Sequence, residues 1–264
     1  MQSPQQPIQA CASLAHTELS ESATLHRVLA DQRLGQQLQA SLLPAAELSW
    51  QAYHFHSLVR PALYLSGDTL DYLALDQDRH FFYLADVAGH GTASALGSVL
   101  LQGLMRQAIA NGQNHLTPAS ILQAINQQWL TIGIEKHATL ILGCIDQRSQ
   151  QLTWSMAGHL PAPVFMQQGQ ARFLSGKGQP IGLFANAQYS DNSLDLSQPF
   201  SLHLFSDGVF ELLNAQRLQA KEQQLLELVE QTSGQWNELL SQLRLDRSEV
   251  IDDDVALLTI SRML

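Results

Sequence analysis

The stretch Phe81-Phe82-Tyr83-Leu84-Ala85-Asp86-Val87-Ala88-Gly89-His90-Gly91-Thr92-Ala93-Ser94-Ala95-Leu96 decides the fold. Its first half is an apolar and aromatic run of strand length. Its second half opens a helix expected over 91–110, where Leu96, Val99, Leu100, Leu104 and Ala108 share one face. Between the halves, Asp86, Gly89 and Gly91 crowd three restrictive residues into six positions. Glycine lets backbone turn sharply or approach a ligand, and a strand-to-helix turn here exposes a helix N-terminus that favours anions such as phosphate.

Outward from this turn, the pattern predicts strands near 50–57, 59–65, 70–76 and 80–86, and again near 137–145, 150–157, 162–167 and 171–174. Thr117 followed by Pro118 reads as an N-cap with proline at the first helical position, so a second helix is expected to about residue 130. A strand over 201–206 leads into helices near 209–213, 218–231 and 235–245, and a last strand covers 255–261. Two runs of antiparallel-looking strands, each interrupted by long helices, imply an α+β layered fold. Upstream, residues 1–20 are polar and aperiodic and read as a tail. Leu25, Val28, Leu29, Leu34, Leu38 and Leu42 form a stripe suited to a helix over 21–44 that docks or self-pairs, ended by Pro44. Residues 45–264 read as one domain.

Acidic residues recur at strand ends beside glycine or one another: Gly67-Asp68, Asp86, Asp207-Gly208 and Asp252-Asp253-Asp254. Taken singly each has a bland reading, since Asp-Gly is a common turn signal and an acidic triplet is commonly a solvated turn. Together they are carboxylates delivered from distant parts of the chain, able to converge on one or two hard, oxygen-loving cations.

The order of these segments resembles a known family. Asp86-Val87-Ala88-Gly89-His90-Gly91 followed by Ser94-Ala95 is similar to the D-V-x-G-H-G-x-x-A signature of the PPM (type-2C-like) metal-dependent Ser/Thr protein phosphatases, in the bacterial branch that includes SpoIIE and RsbU. Gly67-Asp68-Thr69-Leu70-Asp71 resembles its G-D-x-x-D, and Ala157-Gly158-His159-Leu160-Pro161 its A-G-H-x-P. Ser206-Asp207-Gly208-Val209-Phe210-Glu211 resembles its [ST]-D-G-[VI]-x-E, and Asp253-Asp254-Val255-Ala256-Leu257 its D-D-x-[ST]-L. Gln37 to Pro44 is similar to the Q-x-x-L-L-P entrance of that branch.

The resemblance implies a four-layer α-β-β-α sandwich of two antiparallel sheets, with two Mn²⁺ or Mg²⁺ ions in a cleft at one edge. Asp86 would bridge the ions, the carbonyl of Val87 would complete one of them, and Asp207 and Asp253 would bind the second. Asp68 would hold a water on the metal, making Asp68 and Asp86 the catalytic pair. A water acidified between two ions attacks phosphorus in line. The alternative register makes Asp254 the ligand in place of Asp253. Asp71, Gly208, His90 and His159 are further candidates for or around the metal shell; either histidine could be a general acid or could tie backbone together. The implied substrate is a phosphorylated anti-sigma-factor antagonist, dephosphorylated as the output of a two-component or other signalling pathway. An upstream receiver or sensor domain would supply the input, and residues 22–43 could form a homodimer. Thr69-Leu70 and Ala256 depart from the family pattern. They keep open a catalytically weak, phosphatase-like scaffold that binds a regulatory partner.

Composition narrows the partners. Twenty-four Asp and Glu oppose 14 Lys and Arg for a formal net charge of −10, which argues against an electrostatic grip on nucleic acid or anionic lipid. Apolar residues make up 45% of the chain and charged residues 14%, so a packed core is expected and not charge-driven disorder. Cys11 and Cys144 are too far apart in sequence for a paired thiolate metal motif. No segment approaches the roughly 20 apolar residues of a membrane span. The expected setting is soluble and cytoplasmic.

Overall fold

The structure, a computed structural model, describes residues 7–112, 116–247 and 250–262. The chain divides into two units, Met1–Ser41 and Leu42–Leu264. The first unit is nearly all of one 36-residue helix, α1 (Pro7–Leu42). It begins well before residue 21, so the stretch read as a tail is helical from Pro7, and residues 1–6 lie outside the described set. Leu25, Val28, Leu34 and Leu38 of the expected stripe are exposed on it. No helix among the described residues is long and apolar enough to cross a membrane.

The second unit holds two antiparallel sheets. Strands β1 (Glu47–Trp50), β2 (Tyr53–Arg60), β7 (Val164–Gln167), β8 (Gln170–Phe173), β10 (Phe200–Phe205) and β11 (Val255–Arg262) form one, in the order β1-β2-β11-β10-β7-β8. Strands β3 (Asp68–Ala74), β4 (Arg79–Val87), β5 (Ala138–Asp146), β6 (Gln151–Ala157) and β9 (Asn192–Asp195) form the other in the order β3-β4-β5-β6-β9. Helices α2 (Thr92–Ala110) and α3 (Pro118–Ile132) cover the second sheet; α4 (Leu218–Gln231) and α5 (Trp236–Gln242), after a short 3-10 turn (Asp207–Leu212), belong to the first.

Period-two alternation sorts the side chains into three apolar layers. Leu70, Phe82, Leu84, Ile141 and Leu152 face Phe55, Leu202, Leu204, Ala256, Leu258 and Ile260 between the sheets. The alternate residues Phe81, Tyr83, Ala85 and Leu142 pack under Leu101, Met105, Ile125 and Trp129 of α2 and α3. Phe205, Val255 and Leu257 pack under Leu225, Val229 and Leu239 of α4 and α5. This is the expected α-β-β-α layering. Thr117 caps α3 in a reciprocal capping box with Ser120.

Two strand boundaries differ from expectation. The break expected near residue 58 falls at Gln51-Ala52, with Gln51 at φ 55°, and β2 runs through to Arg60. Pro61 has no N–H to continue the ladder, so 61–66 is loop. The edge strand β9 was not expected, because its four residues Asn192-Ser193-Leu194-Asp195 have too little apolar character to stand out.

Candidate functional site

At one end of the inter-sheet layer the inward-facing series turns from apolar to polar. Asp68 continues the inward parity of Leu70 on β3, Asp86 that of Leu84 on β4, and Thr139 that of Ile141 on β5. From the facing sheet, Ser206 follows Leu204 and Asp254 precedes Ala256 in the same phase. Antiparallel register sets Asp68 opposite Asp86, and Asp86 opposite Thr139.

The carboxylates repel one another. Burial pushes the Asp68 carboxyl well above the usual range, and the charge of Asp86, then those of Asp254 and Asp207, push it further; a hydrogen bond from Ser206 opposes them. Asp86 is raised to about 7, by burial first and then by Asp207, Asp253 and Asp254. Asp207, exposed at the start of the 3-10 turn, is raised by desolvation and by Asp253. The charges that act on Asp86 among the described residues are those of carboxylates.

The neighbouring aspartates at 253 and 254 have different positions. Asp254 is 7% exposed, and its two oxygens accept from the backbone N–H of Ala62 and of Gly67, each at 2.8 Å. Asp253 is exposed, with Oδ1 accepting from the Asp254 N–H at 2.8 Å. Asp254 is therefore engaged in holding the 61–67 loop, while Asp253 keeps an oxygen for a ligand. Two glycines permit the close packing of these ends. A Cβ on Gly67 would lie 2.8 Å from the Val87 carbonyl oxygen, and one on Gly208 would lie 2.0 Å from the Asp254 carbonyl oxygen.

Asp71 stands apart from the cluster. Three residues along β3 from Asp68, it falls on the opposite, helix-facing side. There Oδ1 accepts from the Tyr72 N–H at 2.9 Å and Oδ2 from Arg106 Nε at 2.7 Å. Arg106 and Gln102 of α2 also donate to the Leu42 carbonyl, at 2.7 and 2.8 Å. The two histidines also differ. His159 is buried, its Nε2 donating to the Phe205 carbonyl at 2.9 Å, and burial lowers its pKa to about 4. It joins the ends of β6 and β10 as a neutral ring. His90 is exposed in the turn.

Among the described residues, no three His, Cys, Asp or Glu side chains already stand as a closed set of metal ligands. The donors nevertheless suit a hard divalent cation. They are all oxygen, they repel one another, and Asp68 Oδ2 is buried without a hydrogen-bond partner. Sequence reasoning missed two supporting groups. The Ser206 hydroxyl reaches Asp68 and accepts from the Ala256 N–H at 2.8 Å. Lys136 reaches the Ala88 carbonyl at 2.7 Å. Ser206 carried a signal, as the hydroxyl position before Asp207-Gly208, whereas Lys136 lies outside every motif.

Comparison with known proteins agrees with this layout. The chain is 29% identical over 152 residues to the phosphoserine phosphatase RsbP of Bacillus subtilis (strain 168), a match covering 56% of this chain and 37% of RsbP. Among solved structures, the SiaA-PP2C domain of Pseudomonas aeruginosa superposes with a TM-score of 0.77 at 20% identity, covering 92% of this chain and 99% of that one. A structure of RsbX in complex with magnesium matches with a TM-score of 0.62 at 13% identity, covering 82% and 98%. The model of the Stage II sporulation protein E (SpoIIE) family matches residues 76–263, taking in every strand from β4 onward and the acidic ends at 86, 207 and 253, and the chain belongs to that family.

Proposed function

We propose that the chain is a Mn²⁺- or Mg²⁺-dependent protein serine/threonine phosphatase acting in the cytoplasm on a phosphorylated anti-sigma-factor antagonist. The observation carrying this reading is the facing pair Asp68 and Asp86, backed by Asp207 and Asp253, whose mutual repulsion raises the pKa of both. Asp86, Asp207, Asp253 and the Val87 carbonyl would hold two ions. The ions would supply the charge that offsets the cluster, acidify water for attack on phosphorus and screen the phosphate. Asp68, oriented by Ser206, would accept the proton of the attacking water. The names of RsbP, a phosphoserine phosphatase, and of RsbX with magnesium support the substrate class and the ion. The scaffold alternative rests on Thr69-Leu70 and Ala256; at the second of these, Ser206 reaches both Asp68 and the Ala256 N–H. The test is hydrolysis of a serine-phosphorylated antagonist with and without Mn²⁺. A near-normal rate in Asp86→Asn overturns the mechanism, and no turnover of that protein or of p-nitrophenyl phosphate at any metal concentration returns the scaffold reading.

The exposed Leu25, Val28, Leu34 and Leu38 support a role for α1 in passing a signal from an upstream receiver or sensor domain, through a homodimer paired over 22–43. Sedimentation of the chain with and without residues 1–43 tests this, and an unchanged mass rules the dimer out.

A further inference from the structure

The turn that carries Asp86 and Val87 leaves the protection of the sheet as soon as it begins. The last ladder pair on this side is Val87 with Ala138. Beyond it come Gly89 and Gly91 at φ 85° and 81°, and Gly91 caps α2 with no side-chain hydrogen bond. Glycines in such conformations provide no stiffness of their own. The Val87 N–H donates to the Gly67 carbonyl at 3.2 Å and the Ser94 hydroxyl to the Gly91 carbonyl at 2.9 Å, and Ala88 between them is held by the two residues preceding β5. The Ala88 N–H donates to the His137 carbonyl at 2.9 Å, and the Ala88 carbonyl accepts from Lys136 Nζ at 2.7 Å.

Lys136 is itself held in place. Its carbonyl accepts from the indole N–H of Trp129, a fully buried residue of α3, at 2.7 Å. Its ammonium also lies 3.1 Å from where a Cβ on Gly89 would stand, so the side chain crosses directly behind the turn. A lysine usually keeps its ammonium in water, whereas this one ends on a main-chain carbonyl next to a proposed ligand.

We infer that Lys136 is a positioning residue for the cation site, fixing the Ala88–Gly89 peptide unit next to the one that His137 anchors, so that the Val87 carbonyl is presented to a divalent ion. Peptide units are planar and trans, so C=O and N–H of one unit point in opposite directions. Anchoring the Ala88 N–H on His137 turns the Val87 carbonyl the other way, toward Gly67, where only the lack of a Cβ leaves room for it. Anchoring the Ala88 carbonyl on Lys136 fixes the next unit and stops the two from swinging together. The inference rests on the phosphatase reading for the identity of the ligand.

The test is equilibrium binding of Mn²⁺ to the full chain, read from the electron paramagnetic resonance of free Mn²⁺. The chains compared are the unaltered one, Lys136→Met and Lys136→Arg, with thermal midpoints taken in chelator. Lys136→Met is expected to weaken Mn²⁺ binding about tenfold, as is common when a group supporting a ligand is lost. Lys136→Arg, which keeps a charged donor, is expected to recover most of that affinity. A Lys136→Met isotherm that superimposes on the unaltered one overturns the inference and leaves the phosphatase reading intact. A loss that arginine does not restore assigns the effect to packing and overturns it equally. An unaltered chain that binds no Mn²⁺ overturns both.

Discussion

The two faces of β3 treat a buried aspartate in opposite ways. On the helix-facing side, Asp71 has both oxygens occupied, one by the Tyr72 N–H and one by Arg106, which also donates to the Leu42 carbonyl. On the inter-sheet side, Asp68 faces the Asp86 carboxylate across the strand pair, with one oxygen buried and unpartnered. The same contrast recurs where Asp254 is tied by two N–H groups and Asp253 is exposed beside it. Neighbouring acids of one motif thus divide into those whose charge the protein satisfies, which hold the structure together, and those left for something else to satisfy.

The largest break in this contrast comes from neutralising an unsatisfied acid. Asp86→Asn is expected to lower Mn²⁺-dependent phosphoserine hydrolysis on the order of 10³-fold or more. It should leave the thermal midpoint in chelator unchanged or raised, because it removes repulsion from Asp68. A midpoint that drops sharply would mean that Asp86 belongs with the satisfied group.

The satisfied acids should behave in reverse. Asp254→Ala strands the buried N–H of Gly67 and the part-buried one of Ala62, and at about 1–3 kcal/mol for the buried group and less for the other it should cost roughly 1–4 kcal/mol in denaturant unfolding. Asp253→Ala should cost less than about 1 kcal/mol, since the residue is exposed, yet abolish turnover. Equal stability losses at 253 and 254 would sink the division between them. Arg106→Met leaves the Asp71 charge buried and unpaired, with an expected cost of about 2–3 kcal/mol, below that of a fully buried pair because the guanidinium is part-solvated. Chelator-treated unfolding checks it, and Asp71→Asn added to Arg106→Met should recover part of the loss.

Much of this was legible before folding, because apolar runs with clear turn residues mark central strands strongly. The run Phe81 to Val87 reads as a strand on composition alone, and the Gly91 turn marks the start of α2. The acids at 68, 86, 207 and 253 stood out by sitting at strand ends next to glycine or one another. What was not legible was the partner of each acid. Arg106 and Asp71 are 35 residues apart, and Ala62 and Asp254 are 192 apart, so only the folded chain brings them together. Lys136 was invisible for a related reason, since it acts through a main-chain carbonyl that any sequence would possess. The extent of α1 was missed because the Gln- and Pro-rich residues 1–7 read together with those that follow, where the small Ala10, Ala12 and Ala15 make only a weak apolar stripe.

The last prediction sets the unsatisfied acids against the buried histidines, because pH moves them in opposite directions. His159 and His203 are buried and hydrogen-bonded as neutral rings, with pKa values lowered to about 4 and about 3, mainly by burial. Below about pH 6.5 the unfolded chain takes up protons that these rings refuse, so their contribution is complete above that pH and is lost as pH falls toward 4. Between pH 6.5 and 5.5 the two should cost about 1 kcal/mol each. Asp68 and Asp86 have raised values, so the folded chain holds protons that the unfolded one has released; the contribution of Asp86 is lost as pH rises from about 4 toward 7, and that of Asp68 is lost in the same direction. In chelator the two slopes oppose each other and unfolding stability should change little over that unit of pH. With Mn²⁺ present the acids no longer hold their extra protons, the histidine slope is left uncancelled, and acidification should destabilise the chain by about 2 kcal/mol or more. Unfolding curves at the two pH values, with and without Mn²⁺, decide it. An equally steep acid loss in chelator would show that repulsion among the site carboxylates is too weak to matter.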